Sequence, residues 1–199
     1  MIDASLNEVE GLAAKAARGA GLPWGLCEDT GRCARWLAGN GCDWAPSLLA
    51  LLSAPVRDHT LSPIMIGSHL ADLGLAMQSV GPIDHPLWLL PPAAQIARGS
   101  GQAMRVSWDG IVIDVWPFGG TMVGPLHALY RARVPIVQLA PVQPGAGDAR
   151  PPVAFERTTR SSIGLATWRA LEALGAHTYV PASAQSRSKG AGAGLTDND

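Results

Sequence analysis

Residues 104–117, MRVSWDGIVIDVWP, decide the fold class. Asp109-Gly110 at the centre is a type I′ turn dipeptide, because both central residues of that turn must accept a positive φ. The two-residue turn sets three apolar pairs on one face: Trp108 with Ile111, Val106 with Ile113 and Met104 with Val115. On the other face, the same register sets Arg105 opposite Asp114. The same register pairs apolar residues on one face and opposite charges on the other. The stretch therefore predicts an antiparallel hairpin.

Helical patterns precede the hairpin. Ser5 and Glu8 have the spacing of a capping box, and apolar residues follow at helical intervals. Pro23 opens a second helical pattern, which ends at residues 39–41, Gly-Asn-Gly. Residues 45–53, APSLLALLS, are typical of a short buried helix. The first two patterns predict a helical hairpin, since a short connection favours antiparallel neighbours.

The rest of the chain contains further strand patterns and one more helix. Residues 53–100 are interrupted by prolines, and we expect a long connection there with one strand around residues 87–90. Strands are predicted within residues 133–142 and 152–159, followed by a helix within residues 161–175.

Strands that follow helices, with a hairpin instead of repeated βαβ units, indicate an α+β fold. We expect an N-terminal helical hairpin packed on a mixed or antiparallel sheet, with a C-terminal helix and a Gly-rich tail. The predicted organisation is a helical segment at residues 1–53, an α+β body at residues 54–189 and a Gly-rich arm at residues 190–199.

Composition narrows the class of protein. The 199 residues carry a net charge of −1, with 47% apolar and 16% charged residues. No basic stripe indicates nucleic-acid binding, and no apolar run approaches the roughly 20 residues of a membrane span. The first residues lack the pattern of a secretory signal. We therefore expect a cytoplasmic protein that binds neither nucleic acid nor membrane, with a homodimer or a partner enzyme left open.

The three cysteines, Cys27, Cys33 and Cys42, do not favour a disulfide framework, because their number is odd. Their intervals do not match zinc-ligand spacing either. We interpret them as buried thiols and predict no metal site. The cofactor, if there is one, stays unknown at this stage.

The first candidate site lies on the second helix. Glu28 precedes Arg32 by four residues and Arg35 by seven, so the three share a helix face, with Asp29 beside them. They form either a solvated stripe or one wall of a site that offers guanidinium groups to a ligand.

The second candidate is Gly119-Gly120-Thr121, at the end of a predicted strand. Glycines let a backbone approach a ligand, and free N–H groups at a following helix would favour an anion. A plain turn is the alternative.

Arg157 and Arg160 form the third candidate. They precede a helix that Ser161 or Ser162 could cap, and arginines beside a helix start suit a carboxylate or a phosphate. Exposed arginines next to a capped helix are the alternative.

His177 and the C-terminal residues complete the set. His177 is the histidine best placed for acid–base chemistry, and in an enzyme Asp197 or Asp199 would supply proton transfer or a metal ligand. The oxygens of these two residues could also pair with arginines or close over a site as part of a lid. A disordered arm is the alternative for a Gly-rich terminus.

Both ends of the sequence resemble a family. Residues 5–41, together with residues 178–199, which end in GAGAGLTDND, are similar to a bacterial family described only as a domain of unknown function. That resemblance implies a bacterial cytoplasmic protein tied to small-molecule catabolism and transfers no catalytic residue. The first helices are also similar to those of the malate/L-lactate dehydrogenases that lack a Rossmann fold. The later motifs of that family are missing, so no NAD chemistry is implied.

Two function classes follow. In the first, the protein binds a small anionic metabolite, a carboxylate or a phosphorylated compound, between Glu28/Arg32 and Arg157/Arg160. In the second, it is an accessory subunit or partner-binding protein whose C-terminal tail docks in a groove. Whether the chain is an enzyme is left open, because no established catalytic motif is present.

Overall fold

An antiparallel sheet of six strands is central to the computed structural model, which describes residues 1–54, 62–74, 78–143 and 150–179. In spatial order the strands are Gln78–Val80 (β2), Val137–Pro141 (β8), Met104–Trp108 (β4), Ile111–Trp116 (β5), Gly119–Val123 (β6) and Val153–Ala154 (β9). Every neighbouring pair is antiparallel.

The hairpin prediction is confirmed residue by residue. β4 and β5 pair in the expected register, from Met104 opposite Val115 to Trp108 opposite Ile111. Asp109 has a φ of 43° and Gly110 a φ of 77°, as a type I′ turn requires. The apolar face is buried, and on the other face Arg105 donates two hydrogen bonds, of 2.7 and 2.8 Å, to the Asp114 carboxylate.

The three N-terminal helices are also confirmed, at Leu6–Gly19 (α1), Trp24–Gly39 (α2) and Ala45–Ser53 (α3). Ser5 and Glu8 form the reciprocal capping box at the start of α1. α1 and α2 pack against each other along their lengths as the predicted helical hairpin.

The helix that lies directly on the sheet is Leu90–Ser100 (α5), which contacts β4 and β5. A 3₁₀ turn at Pro86–Leu89 leads into it, so the strand expected around residues 87–90 is wrong. Pro91 and Pro92 fall in the first turn of α5, where no hydrogen-bond donor is needed. A short buried apolar run does not distinguish a strand from a helix by periodicity, which explains the error.

The start of the chain pairs with its later part. Ile2–Ser5 (β1) forms a two-stranded antiparallel sheet with Arg160–Ile163 (β10). The last described helix, Leu165–Ala176 (α7), begins after Gly164 without a side-chain cap. The expected capping by Ser161 or Ser162 is therefore wrong, because both residues lie in β10.

The remaining elements connect these layers. They are Pro63–Leu73 (α4), Leu126–Leu129 (α6) and a small antiparallel pair formed by Ile83–Asp84 (β3) and Arg133–Val134 (β7). α1 crosses α7 closely, since a side chain at Gly19 would overlap the Leu174 carbonyl. Buried apolar residues from Ala4 to Leu171 form one core cluster.

The α+β fold class is thus confirmed. The predicted division of the chain into three segments stays a prediction, and the Gly-rich arm at residues 190–199 lies outside the described residues. Among the helices of the described ranges, none has the length and apolar character needed to cross a bilayer.

Candidate functional site

A cleft of about 710 Å³ opens between α2, α4 and α5. Positions three or four residues apart along α2 and α5 supply two of its walls, because such positions share a helix face. We call it the arginine cleft. Its charged lining residues are Asp29, Arg32, Arg35, Asp72, Arg98 and Arg157.

Ser68 and Asp72 are four residues apart on α4 and so share a face of that helix, which lines the cleft beside Asp29 of α2. We call this group of three residues the acidic end. Ser68 of α4 donates a hydrogen bond of 3.2 Å to Asp29 of α2 and so holds the two helices together there. Arg32 donates a hydrogen bond of 2.7 Å to the other oxygen of Asp29, and this bond raises the pKa of the Arg32 guanidinium. Within the described part of the chain, no cation pairs with Asp72.

The other end, which we call the cationic end, contains Arg98 and Arg157. The Arg98 guanidinium lies 5.1 Å from the centre of the Phe118 ring. The residue before Phe118 is Pro117, whose carbonyl accepts a hydrogen bond of 3.1 Å from the Trp36 indole. Arg98 therefore lies beside the C-terminal half of α2.

Arg157 reaches the same end by another route. The backbone N–H of the next residue, Thr158, donates a hydrogen bond of 3.1 Å to the Gly39 carbonyl, in the last turn of α2. Among the residues that the structure describes, no carboxylate pairs with Arg98 or Arg157. Two guanidinium groups from distant parts of the sequence thus line one end of the cleft without an acidic partner.

The second arginine on the α2 wall, Arg35, is already paired with a carboxylate. Arg35 donates hydrogen bonds to Asn7 and, over 3.2 Å, to the Glu10 carboxylate, which ties α2 to α1. Arg35 therefore contributes less to the binding of an added anion than Arg98 or Arg157.

Two further polar groups line the cleft. Asn40 is only 4% exposed, and its amide nitrogen donates to the Trp36 carbonyl over 2.8 Å. Its side-chain oxygen has no partner within the described ranges, and an unpaired buried acceptor costs about 1–3 kcal/mol. Burial raises the pKa of the Cys33 thiol to about 12, so this thiol is neutral at pH 7 and does not act as a nucleophile.

The cleft brings together four of the charged residues singled out from the sequence: Asp29, Arg32, Arg35 and Arg157. Glu28 lies at the exposed surface of α2, with its carboxylate 3.8 Å from Arg32. Arg160 points to the chain start, where it donates hydrogen bonds of 2.6 Å to the carboxylate and the backbone carbonyl of Asp3. Glu28 and Arg160 do not line the cleft.

Gly119, Gly120 and Thr121 lie within β6, so the expected passage from a strand into a helix is wrong at this point. The reason for glycine at position 120 is packing. A Cβ there would lie 2.9 Å from the Asp114 carbonyl oxygen and from a carbon of the Phe155 ring. These three residues do not line the cleft.

His177 is exposed at the end of α7, with its Nδ1 3.4 Å from the Gly19 carbonyl oxygen, and it does not line the cleft. Asp197 and Asp199 lie outside the described residues. The catalytic or ligand-binding roles expected for these three residues stay predictions.

Sequence reasoning missed Asp72, Arg98 and Asn40. Arg98 follows Ala94 by four residues, a helical interval, but its helix was hidden among the prolines of residues 82–92. Asn40 was interpreted only as part of a helix stop. Its hydrogen bond to the Trp36 carbonyl is local, but its burial depends on the packing of the whole fold.

Part of the chain matches a known protein family. Residues 4–79 match the model of a family described as a protein of unknown function, DUF3726. This confirms the expected resemblance of the N-terminal helices to a domain of unknown function, whereas the significance of the C-terminal ending stays a prediction. No curated protein and no solved structure matches the chain.

The DUF3726 match covers only part of the cleft. It includes the walls formed by α2 and α4, with the acidic end, but it ends before α5, Phe118 and Arg157. The cationic end is therefore built from residues outside the matched segment. Within the described ranges, no group of three or more His, Cys, Asp or Glu residues is placed to hold a metal ion.

Proposed function

We propose that this protein binds a small anionic metabolite, a carboxylate or a phosphorylated compound, at the cationic end of the arginine cleft. The observation that carries the proposal is the pair formed by Arg98 and Arg157, two guanidinium groups without a described carboxylate partner. Guanidinium groups recognise carboxylates and phosphates through charge-assisted hydrogen bonds, often two at once.

The size of the cleft supports a small ligand. Its volume of about 710 Å³ falls within the roughly 300–1,000 Å³ of small-molecule sites. The Phe118 ring and the Trp36 indole add apolar surface beside the arginines. The proposal extends to binding only and assigns no reaction to the cleft.

The partial charge at the end of α2 provides a competing explanation for the position of one arginine, Arg157. A cation near the last turn of α2 is favourable by about 0.3–1 kcal/mol even without a ligand, because the helix C-terminus carries partial negative charge. That effect explains Arg157 beside Gly39, but it does not explain why Arg98, from α5, lines the same end. The two explanations make different predictions when anions are added.

The test is calorimetric titration and thermal unfolding of the full chain with inorganic phosphate and with mono- and dicarboxylates. We expect at least one of these anions to raise the midpoint of unfolding. Arg98→Gln and Arg157→Gln should each weaken its binding about two- to fivefold, because both arginines are exposed and water screens their charge.

Arg169→Gln is the matched control, because Arg169 is exposed on α7 and does not line the cleft. Binding that is unchanged in both cleft variants, or an equal loss in the control, would refute the proposed site. Absence of binding by every anion in the panel would refute the proposed function.

The second candidate function, docking of the C-terminal tail in a groove, draws on the same observation. The carboxylates of Asp197 and Asp199 would suit unpaired guanidinium groups as well as a metabolite does. A version of the protein that ends at Lys189 separates the two. If the tail occupies the cleft, this version should bind the anions more tightly than the full chain. Equal affinities would argue against docking of the tail in this cleft.

A further inference from the structure

The charges at the two ends of the arginine cleft differ, and they indicate a ligand that is not a simple anion. At one end, Arg98 and Arg157 are cations without a carboxylate partner among the described residues. At the other end Asp72 is a carboxylate without a described cation, and Asp29 is already shared by Arg32 and Ser68. A ligand that carries only negative charge would meet repulsion at the acidic end.

We infer that the ligand is dipolar, with an anionic group for the cationic end and an ammonium group for Asp72. This inference rests on the proposed function, since it names the ligand class of the same cleft. It follows from the presence of unpaired groups of both signs in one cavity. A like-charge contact within such a cavity discriminates against the wrong ligand as effectively as an attractive contact selects the right one.

The separation of the two ends sets the length of the ligand. Asp29 marks the acidic end of α2, and Trp36, seven residues later, marks the part of α2 beside Arg98. At 1.5 Å per residue these positions are about 10 Å apart along the helix axis. A ligand that contacts both ends must span a gap of this order, so an ω-amino acid of medium length should bridge it better than a short one.

Asp72 is the residue that distinguishes a dipolar ligand from a simple anion. Its side chain is exposed to the cleft, so its attraction for an ammonium group is screened by water. We therefore expect a gain in affinity of about three- to fivefold from the ammonium group, the range of exposed ion pairs.

The experiment uses calorimetric titration of the full chain with γ-aminobutyrate, ε-aminocaproate and ω-aminocaprylate. Caproate, which lacks the ammonium group, and adipate, which has a second carboxylate in its place, are the reference ligands. We expect ε-aminocaproate to bind about threefold or more tightly than caproate, and adipate to bind more weakly than caproate. γ-Aminobutyrate should lose the advantage, because it is too short to reach both ends.

The variant Asp72→Asn should abolish the preference for ε-aminocaproate while the affinity for caproate stays the same or rises. Glu172→Gln, an exposed acid on α7 away from the cleft, is the control and should leave the preference unchanged. A variant that does not fold is recognised by its thermal transition, and Asp72→Ser then replaces it.

The outcomes separate the inference from the function on which it rests. If caproate binds the wild-type chain as tightly as ε-aminocaproate does, the dipolar ligand is overturned and the anion site stands. If the preference persists in Asp72→Asn, the assignment to Asp72 is overturned. If no carboxylate binds at all, both the inference and the proposed function fail.

Discussion

Replacement of Cys42 by alanine should change how the stability of this protein depends on alkaline pH. Cys42 is 5% exposed, just after α2, and its sulfur lies 3.7 Å from the Asn40 carbonyl oxygen. Burial, with a smaller contribution from the charge of Asp43, raises the pKa of the Cys42 thiol from about 9 to about 12. The folded state therefore favours the neutral thiol.

The sign and size of the effect follow from that pKa. A group whose pKa is raised on folding contributes its full stability below the pKa of the unfolded chain, near pH 9, and loses it as pH rises toward 12. At about 1.4 kcal/mol per pKa unit, ionisation of the thiol in the unfolded chain lowers the free energy of unfolding by about 1 kcal/mol at pH 10 and by about 3 kcal/mol at pH 11.

Urea denaturation of the wild type and Cys42→Ala between pH 8 and pH 11, with reductant present, measures this directly. Other groups titrate in this range too, but their effects cancel in the difference between the two proteins. Alanine is expected to cost stability at pH 8, and that cost should shrink by about 1 kcal/mol at pH 10. Parallel pH profiles for the two proteins would show that the thiol is not held neutral by the fold.

Three further substitutions test contacts that stabilise the fold. Ser5→Ala removes the cap of α1 and should lower the free energy of unfolding by about 1 kcal/mol, seen as a fall of about 2–4 °C in Tm; an unchanged Tm would contradict the cap. Gly67→Ala places a Cβ 2.5 Å from Pro92 and should cost about 1–3 kcal/mol in urea denaturation, whereas a neutral result would mean that α4 and α5 separate freely. Asp114→Asn weakens two hydrogen bonds from Arg105 and should cost about 1 kcal/mol, with a loss smaller in high salt; a salt-independent loss would show that charge is not its cause.

The local part of the fold could be predicted from the sequence because its signals are short in range. The capping box at Ser5 spans four residues, and the hairpin around Asp109 spans fourteen, so each carries its own evidence. Both were confirmed in register and in bounds. In these segments turn chemistry, charge pairs and apolar periodicity agree, which is the condition under which a sequence pattern is reliable.

The errors fall where a distant partner decides the local structure. Ser161 and Ser162 look like helix caps in isolation, but pairing with the chain start about 157 residues earlier makes them strand residues. Gly119 and Gly120 suggest a ligand loop, whereas the contact of position 120 with Phe155 requires the absence of a side chain in a strand. Local patterns contain no information about such neighbours.

Only part of the candidate site could be predicted from the sequence, because the rest depends on distant contacts. Asp29 and Arg32 were visible as a charged helix face, and Arg157 as an arginine near a helix start. That Arg157 and Arg32 line one cavity depends on the placement of Thr158 against Gly39, and Arg98 joins them only through the packing of α5. A cleft is a property of the packing of several elements, which single segments do not reveal.

The pairing of β1 with β10 affects how this protein folds during its synthesis on the ribosome. The segment that matches DUF3726 is synthesised first, but β1 lacks its neighbouring strand until residues 160–163 have been made. The face of α1 that does not contact α2 lacks its packing partner until α7 follows. At about 5–20 residues per second, the nascent chain waits on the order of 10–30 seconds with this apolar surface uncovered. The early helices are therefore expected to be a target for chaperones during translation, and a ribosome that stalls before residue 160 would release a chain prone to aggregation.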